Sequence, residues 1–223
     1  MLPATNLTLN KSLRIRSFEE DKIATLDAHR GLRYEGKVKD YHRFRGNFYL
    51  INSKGDLIES FEIVILVGKQ YPNIFPEVLL VDNKIERSDD YHINQEGFIC
   101  FEHTYIANDL AKKGLRLYDF ANYYLPKYFS WALVKKYGNT KDLQEWKHKE
   151  DGTIQLYEIL LGTKDEKIIR LFLEGYSVST KIRRNDPCHC MSGEKLKNCH
   201  YDAAIFLKAT PKENIARDIK LFL

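Results

Sequence analysis

Three cysteines and a histidine stand close together near the C-terminal end of this 223-residue chain, as Cys188, Cys190, Cys199 and His200. Three thiolates and one imidazole satisfy the tetrahedral coordination of zinc, and closed four-ligand sites of this kind are structural. Ser192-Gly193 supplies a tight turn that returns the second pair of ligands to the first. So short a segment cannot bury enough apolar surface to hold its shape, and metal binding would supply its folding free energy. The spacing predicts a structural zinc site, with unligated cysteines as the alternative.

The residues around these ligands resemble the small zinc motif at the C-terminus of the SecA translocation motor, which many bacterial proteins also carry. Asn185-Asp186-Pro187 belongs to that pattern, whereas His189 and Met191 replace its usual Pro and Gly. Neither replacement removes a ligand. The resemblance implies a zinc-binding module over residues 179–223. A final amphipathic helix starting at Thr210-Pro211 would pack on this module or offer a docking surface.

Alternating apolar side chains predict strands in the first half of the chain. One strand is expected at Arg43–Ile51, a second at Phe61–Val67 and a third at Val78–Val81. Together they predict a three-stranded antiparallel meander, with a fourth strand before it as an open alternative. With the helices around it, the alternation indicates the α+β class.

Helix signals flank the meander. Ser17 and Glu20 form a capping box for an N-terminal helix that carries Phe18, Ile23 and Leu26 toward the core. A second helix is predicted at Leu117–Lys136, whose aromatic stripe is typical of a buried face. Because Pro126 lies inside this helix, we expect a kink or a break there.

Two short helices are predicted to follow, at Ile154–Leu161 and Lys167–Leu173. Thr163 and Glu166 would cap the second of them, and Gly175 would close it. The residues from Tyr176 onward then predict a linker.

A second cysteine-bearing stretch ends the meander. It contains Tyr71-Pro72 and Pro76-x-Val78, and it closes with His92-x-Asn94-x-x-Gly97-x-Ile99-Cys100. Cys100 is far in sequence from every other cysteine. A cysteine is a capable nucleophile at neutral pH, and a nearby hydrogen-bond donor stabilises the oxyanion formed when it attacks a carbonyl. The alternative is that Cys100 is a small buried hydrophobic residue.

This ordered series resembles the core of the ubiquitin-conjugating enzymes, and most of all their bacterial relatives found beside anti-phage signalling genes. Those enzymes accept a protein modifier on a cysteine as a thioester and pass it to an amine. The resemblance implies a ubiquitin-conjugating-enzyme-like catalytic domain over residues 1–178, with Cys100 as the nucleophile. His92 occupies the position of the Asn in the eukaryotic His-Pro-Asn motif. The oxyanion role therefore falls to His92, with Asn94 as the reserve candidate.

The same resemblance implies the partners. They are a protein modifier and a protein target, with a nucleotide cyclase of an anti-phage system as one candidate target. The sequence has no Gly-x-Gly-x-x-Gly or P-loop segment, so a separate activating enzyme would supply the thioester, or the modifier would arrive already activated. Glu102 and His103 follow the nucleophile, either as groups that orient the amine or as solvated loop residues.

Two other functions remain open. One is a binding module of the same fold without chemistry. The other is an adaptor whose zinc tail docks onto a chaperone, a ribosome or nucleic acid. The formal net charge is +4, and the basic residues are dispersed except for a local excess at Lys181, Arg183 and Arg184. This distribution favours a solvated surface over a nucleic-acid site.

The cellular location of the protein is predicted from two features that the sequence lacks. The chain has no apolar run of the length that crosses a bilayer and no secretory signal at its N-terminus. Metal-like cysteine spacing also fits a reducing compartment. We therefore expect a cytoplasmic protein.

Overall fold

The computed structural model describes residues 17–138 and 145–223. The chain divides into two compact units, the first comprising Met1–Glu102 and Leu110–Glu145, the second His103–Asp109 and Trp146–Leu223. These units do not divide at residues 178 and 179, where the sequence predicts a domain boundary. As a boundary between functions, that position stays a prediction.

The first unit contains a four-stranded antiparallel sheet in the order β1-β2-β3-β4. Its strands are β1 (Leu32–Val38), β2 (Tyr41–Ile51), β3 (Leu57–Gly68) and β4 (Glu77–Leu80). The structure is therefore mixed α+β, and β1 is the fourth strand that the sequence left open. The register sets Phe48 opposite Phe61, and both are buried.

Helix α1 (Phe18–Ala28) begins with the predicted capping box between Ser17 and Glu20. Its buried residues are Asp21 and Thr25, whereas Ile23, expected in the core, is 57% exposed. Asp21 is buried because its carboxylate accepts hydrogen bonds from the backbone N–H groups of Leu117 at 2.7 Å and Tyr118 at 3.2 Å. It also accepts the hydroxyl of Tyr71. Thus α1 buries a polar group that caps a distant helix.

The capped helix is α3 (Leu117–Tyr137), which continues through Pro126 without the predicted break. Proline removes one backbone hydrogen bond, but burial of the flanking turns compensates for it. Leu125 and Phe129 are fully buried, and the Phe129 ring stacks on Phe61 of β3 with centroids 4.1 Å apart. The aromatic stripe is core, as predicted.

Helix α2 (Thr104–Lys112) was not predicted. The helices of the second unit are α4 (Lys149–Leu161), α5 (Glu166–Val178), α6 (Tyr201–Phe206) and α7 (Lys212–Asp218). Short 3-10 turns lie at Asp89–Tyr91, Leu196–Asn198, Leu207–Ala209 and Ile219–Phe222. No helix in the described ranges combines the length and the apolar character needed to cross a bilayer.

Two signals for α5 were misinterpreted from sequence. Its N-cap is Asp165, whose carboxylate accepts the backbone N–H groups of Lys167 and Ile168, rather than Thr163. The helix also passes through Gly175 to Val178, so the predicted linker starts inside it. Gly175 marks a close approach instead of a helix end, since a Cβ there would lie 3.0 Å from the Cβ of His189.

The C-terminal segment is held by a buried carboxylate. Asp218, at the end of α7, accepts hydrogen bonds from the hydroxyl of Tyr105 and, at 3.0 Å, from that of Tyr157. Ile215 and Phe222 are buried beside it. The predicted final amphipathic helix is present, divided into α7 and a terminal 3-10 turn.

Candidate functional site

The four predicted metal ligands converge in the second unit. One ligand atom from each of Cys188, Cys190, Cys199 and His200 lies within 4.8 Å of the others. His200 Nδ1 is 3.3 Å from Cys188 Sγ and 3.2 Å from Cys199 Sγ, and the sulfurs of Cys190 and Cys199 are 3.6 Å apart. Zinc bonds of about 2.0–2.3 Å require tetrahedron edges of roughly 3.3–3.8 Å. The donor set and its spacing therefore fit a metal ion such as zinc.

A short hairpin brings the two ligand pairs together. Pro187 pairs with Lys195, and the Cys188 N–H donates to the Glu194 carbonyl at 2.8 Å. Gly193, in the connecting turn, has a φ of 81°, a conformation that suits glycine. The 3-10 turn at 196–198 then delivers the second ligand pair.

The imidazole of His200 is oriented by α4. Its Nε2 lies 3.1 Å from the carbonyl oxygen of Leu161, the last residue of that helix. With the Nε2 proton donated there, Nδ1 faces the sulfurs as a lone-pair donor, which is the usual outer-shell arrangement of a metal-binding histidine. The ring of Phe172, on α5, lies 5.4 Å from the imidazole.

The protonation states of the cysteine thiols also affect metal binding. Burial raises the pKa of Cys188 to about 12. Burial acts in the same direction at Cys190, but hydrogen bonds with Ser192 outweigh it and lower the pKa of Cys190 to about 6. A metal ion that binds both sulfurs must therefore displace a proton from Cys188, so binding weakens as the pH falls.

His189 is not part of the ligand group. Its Nε2 is 3.3 Å from Ser179 Oγ, and its ring packs against Gly175 of α5. Its role is to pack the hairpin onto α5.

Cys100 and His92 face each other across a second hairpin, in the first unit. The Cys100 N–H donates to the His92 carbonyl at 2.8 Å, and Ile93 bridges Ile99 in antiparallel fashion. Eight positions apart in sequence, the two predicted catalytic residues are thus neighbours through the backbone.

Asn94 occupies the turn of this hairpin. Its Oδ1 accepts the N–H of Phe98 at 2.8 Å, and its carbonyl accepts the N–H of Gly97 at 2.9 Å. Gly97 has a φ of 96°, and a Cβ there would lie 2.9 Å from the Leu80 carbonyl oxygen. Asn94 therefore has a structural role that His92 does not share.

The hairpin is fastened to β4. The Leu80 N–H donates to the Gly97 carbonyl, and the Ile99 N–H donates to the Val78 carbonyl, both at 2.9 Å. Because β4 is an integral strand of the sheet, Cys100 emerges from a rigid support rather than from a loose loop.

Cys100 itself is solvent-exposed, unlike the small buried hydrophobic residue considered from sequence. Protein packed around the sulfur desolvates it, and this, with the nearby Glu102 carboxylate, raises the pKa of the thiol. The sulfur lies 3.6 Å from the Glu102 carbonyl oxygen. The thiol is therefore accessible and largely protonated at neutral pH.

Glu102 and His103, just past Cys100, are not simply solvated. The Glu102 side chain is fully buried, with Oε1 3.8 Å from Lys127 Nζ. His103, in the second unit, has its Nδ1 3.2 Å from the Tyr105 N–H group and its Nε2 3.2 Å from Thr153 Oγ1. Both are fixed in place, contrary to the solvated-loop alternative.

Helix α3 braces the segment that carries His92, which sequence reasoning missed. Tyr128 donates its hydroxyl to the Tyr91 carbonyl at 2.7 Å, and Lys135 Nζ donates to the Asp90 carbonyl at 2.8 Å. The Trp131 ring lies 5.5 Å from the imidazole of His92, whose backbone is left-handed with φ 54° and ψ 37°. The aromatic stripe of α3 could have indicated this contact, because the Tyr hydroxyl and the Trp ring N–H are polar groups that need hydrogen-bond partners.

Comparison with known proteins supports one of the two regions. The family model described as the SEC-C motif matches residues 184–202, which include all four clustered ligands. No curated protein and no solved structure matches the chain significantly. The C-terminal SEC-C motif, with a Cys/His group able to hold a metal ion, is thereby shown.

Proposed function

We propose that the chain is a cysteine-dependent conjugating enzyme, similar to the ubiquitin-conjugating enzymes, that carries a protein modifier as a thioester on Cys100. The observation that carries the proposal is the accessible Cys100 thiol, fixed by its backbone hydrogen bond to His92 at the end of a hairpin seated on the sheet. The helix-meander-hairpin order of the first unit is compatible with the same resemblance.

In the first step, the Cys100 sulfur attacks the activated carboxyl carbon of the modifier. A C–S bond forms, the bond from the carboxyl carbon to the activating thiol or phosphate breaks so that this group departs, and the Cys100 proton passes to solvent or to the departing group. In the second step, a lysine amine attacks the thioester carbonyl, a C–N bond forms, and the C–S bond breaks to return the thiolate of Cys100. The amine proton passes to solvent or to this thiolate. The oxyanion formed in each attack is the species that His92 stabilises.

Two observations favour His92 over Asn94 for this role. His92 is the direct backbone partner of Cys100, whereas the side-chain oxygen of Asn94 is engaged in the turn of the hairpin. Tyr128 and Lys135 hold the segment preceding His92, which is the preorganisation that an oxyanion site needs.

The raised pKa of Cys100 also affects the stability of a thioester formed on it. A thiol of high pKa is a slow leaving group, so a thioester on Cys100 would resist hydrolysis until an amine is positioned. Either a separate activating enzyme supplies the thioester or the modifier arrives already activated, because the sequence has no Gly-x-Gly-x-x-Gly or P-loop segment. A nucleotide cyclase of an anti-phage system is the target that the resemblance suggests.

The metal stays outside this chemistry. Cys188, Cys190, Cys199 and His200 would hold a structural zinc ion, which organises the C-terminal motif and has no open position for substrate. The second candidate function, a binding module without catalysis, is favoured by the protonated state of Cys100 at neutral pH.

Trapping in native cells tests the proposal. A tagged Cys100→Ser chain should accumulate an oxyester adduct that survives denaturing purification and is released by mild alkali. The wild-type adduct should be released by thiols. Cys100→Ala is the matched control and should carry no adduct. Adducts that persist on Cys100→Ala, or their absence from both wild type and Cys100→Ser, would favour the non-catalytic module.

A further inference from the structure

A cationic cavity in the second unit has no part in either site described above. It has a volume of about 500 Å³ and lies between the segment leaving α5 and the 3-10 turn that precedes α7. Lys181, Arg183, Lys208 and Lys212 line it, and no acidic residue does. None of its lining residues belongs to the SEC-C motif at 184–202.

One of the four basic side chains, that of Lys212, is hydrogen-bonded to the protein backbone. The ammonium group of Lys212 donates to the backbone carbonyl of Ser179 and, at 3.2 Å, to that of Tyr176, at the C-terminal end of α5. Lys212 Nζ also lies 5.6 Å from the centre of the Tyr176 ring. These contacts fix one wall of the cavity and offset the negative end of the α5 dipole.

The other three cations are uncompensated. Within residues 17–138 and 145–223, no acidic side chain forms an ion pair with Lys181, Arg183 or Lys208. Like charges that line one open concave surface repel each other, and a bound counter-ion would relieve this repulsion. From the sequence, the basic residues after α5 were expected to form a solvated surface. The fold places Lys208 and Lys212, from a separate segment, in the same cavity.

A second, independent observation concerns Thr210, one of the residues that line the cavity. Thr210 is 5% exposed, and its buried Oγ1 has no hydrogen-bond partner among the described residues. A buried hydroxyl without a partner is unfavourable, and most such groups in folded proteins are paired. Because Oγ1 is itself withdrawn from solvent, an anion oxygen would supply the missing acceptor after a small adjustment of this wall of the cavity.

We propose that this cavity binds a small polyanion of the phosphate class. The arrangement of a guanidinium, two free ammonium groups and a neutral hydroxyl donor is the chemistry that recognises phosphate oxygens. Its volume is in the range of small-molecule sites, and four of its nine lining residues are Lys or Arg. The site is independent of Cys100, so it holds whether or not the chain is a conjugating enzyme.

Calorimetric titration of the metal-loaded full chain with inorganic phosphate and with pyrophosphate, at constant ionic strength, tests the site. Saturable binding is expected, tighter for pyrophosphate because it carries more charge. Lys181→Ala and Lys208→Ala should each weaken it by about tenfold or more. Lys220→Ala, which removes an exposed lysine that does not line the cavity, is the matched control and should bind as the wild type does.

Thr210 provides a separate arm. Thr210→Val keeps the shape of the side chain and removes the hydroxyl, so it should weaken pyrophosphate binding, whereas Thr210→Ser should retain it. One metal ion per chain and an unchanged circular dichroism spectrum would show that each variant is folded. No saturable binding of either anion, equal weakening in Lys220→Ala, or binding of long nucleic acid alone would each overturn the proposal.

Discussion

The two cysteine-bearing regions of this protein use the thiol in opposite ways. In the C-terminal motif, three sulfurs and an imidazole converge within 4.8 Å and are mostly withdrawn from solvent. In the hairpin of the first unit, Cys100 is exposed and is paired through its backbone to His92. The comparison shows that clustering with burial suits a closed metal site, whereas Cys100 stands alone and exposed on a hairpin held by the sheet.

The supports of the two regions lie in different units. Residues 187–200 build the metal cluster almost alone, with α4 contributing the Leu161 carbonyl. The Cys100 hairpin needs β4 and the side chains of α3. Loss of the metal should therefore destabilise the second unit, and loss of a buried contact in the first unit should destabilise the first.

The largest expected effect is on the metal cluster. Cys199→Ser should remove the bound ion, which elemental analysis should find at about one zinc per wild-type chain. Structural zinc contributes on the order of 10 kcal/mol to small modules, so the C-terminal motif should lose its order. Protection of its amide hydrogens from exchange measures this loss, and the strands β2 and β3 should keep theirs. A metal-free variant with an ordered motif would contradict the comparison.

The reverse experiment removes a contact from the first unit. Asp21→Ala leaves two backbone N–H groups and the Tyr71 hydroxyl without their buried acceptor, so the unfolding free energy of this unit should fall by about 2–4 kcal/mol. Urea unfolding followed by hydrogen exchange in β2 and β3 measures the change, while the zinc content should not alter. Asp27→Ala, on the exposed face of the same helix, is the control. Equal losses in the two variants would show that Asp21 is not the cap that the geometry indicates.

A smaller effect concerns the two oxyanion candidates. His92→Ala should slow transfer from a loaded Cys100 to lysine by about a hundredfold, the cost of removing one oxyanion donor. Asn94→Ala should slow it less, because its side chain serves the turn. Single-turnover transfer with the loaded chain gives both rates. The opposite ranking would assign the role to Asn94.

The smallest expected effect is on the pH dependence of alkylation at Cys100. Because desolvation and the charge of Glu102 raise the pKa of Cys100, its alkylation by iodoacetamide in the metal-loaded chain should be slow at neutral pH and rise in the alkaline range. Glu102→Gln removes the negative charge, so the profile should move to lower pH. Mass spectrometry after timed alkylation gives the profile. A shift to higher pH, or none, would show that Glu102 does not act on the thiol.

Much of this architecture follows from local pattern. The meander, the capping box at Ser17, the final helix and the metal ligands were each predicted from residues near one another in sequence. The mistakes involve distant partners. Asp21 is buried because it caps α3, and Gly175 lies inside α5, where His189 packs on it. At Pro126, where a kink or a break was expected, the helix is not broken, because its neighbours are buried.

The sequence by itself determined the ligand cluster, because a metal site built within thirteen residues is set by spacing and turn chemistry. It also determined the strand alternation that puts Phe44, Phe61 and Ile63 inside. Only the tertiary structure decided the surroundings of Cys100 and the cationic cavity. Both depend on segments brought together from far apart, and the desolvation and charge that act on a group depend on every element packed around it.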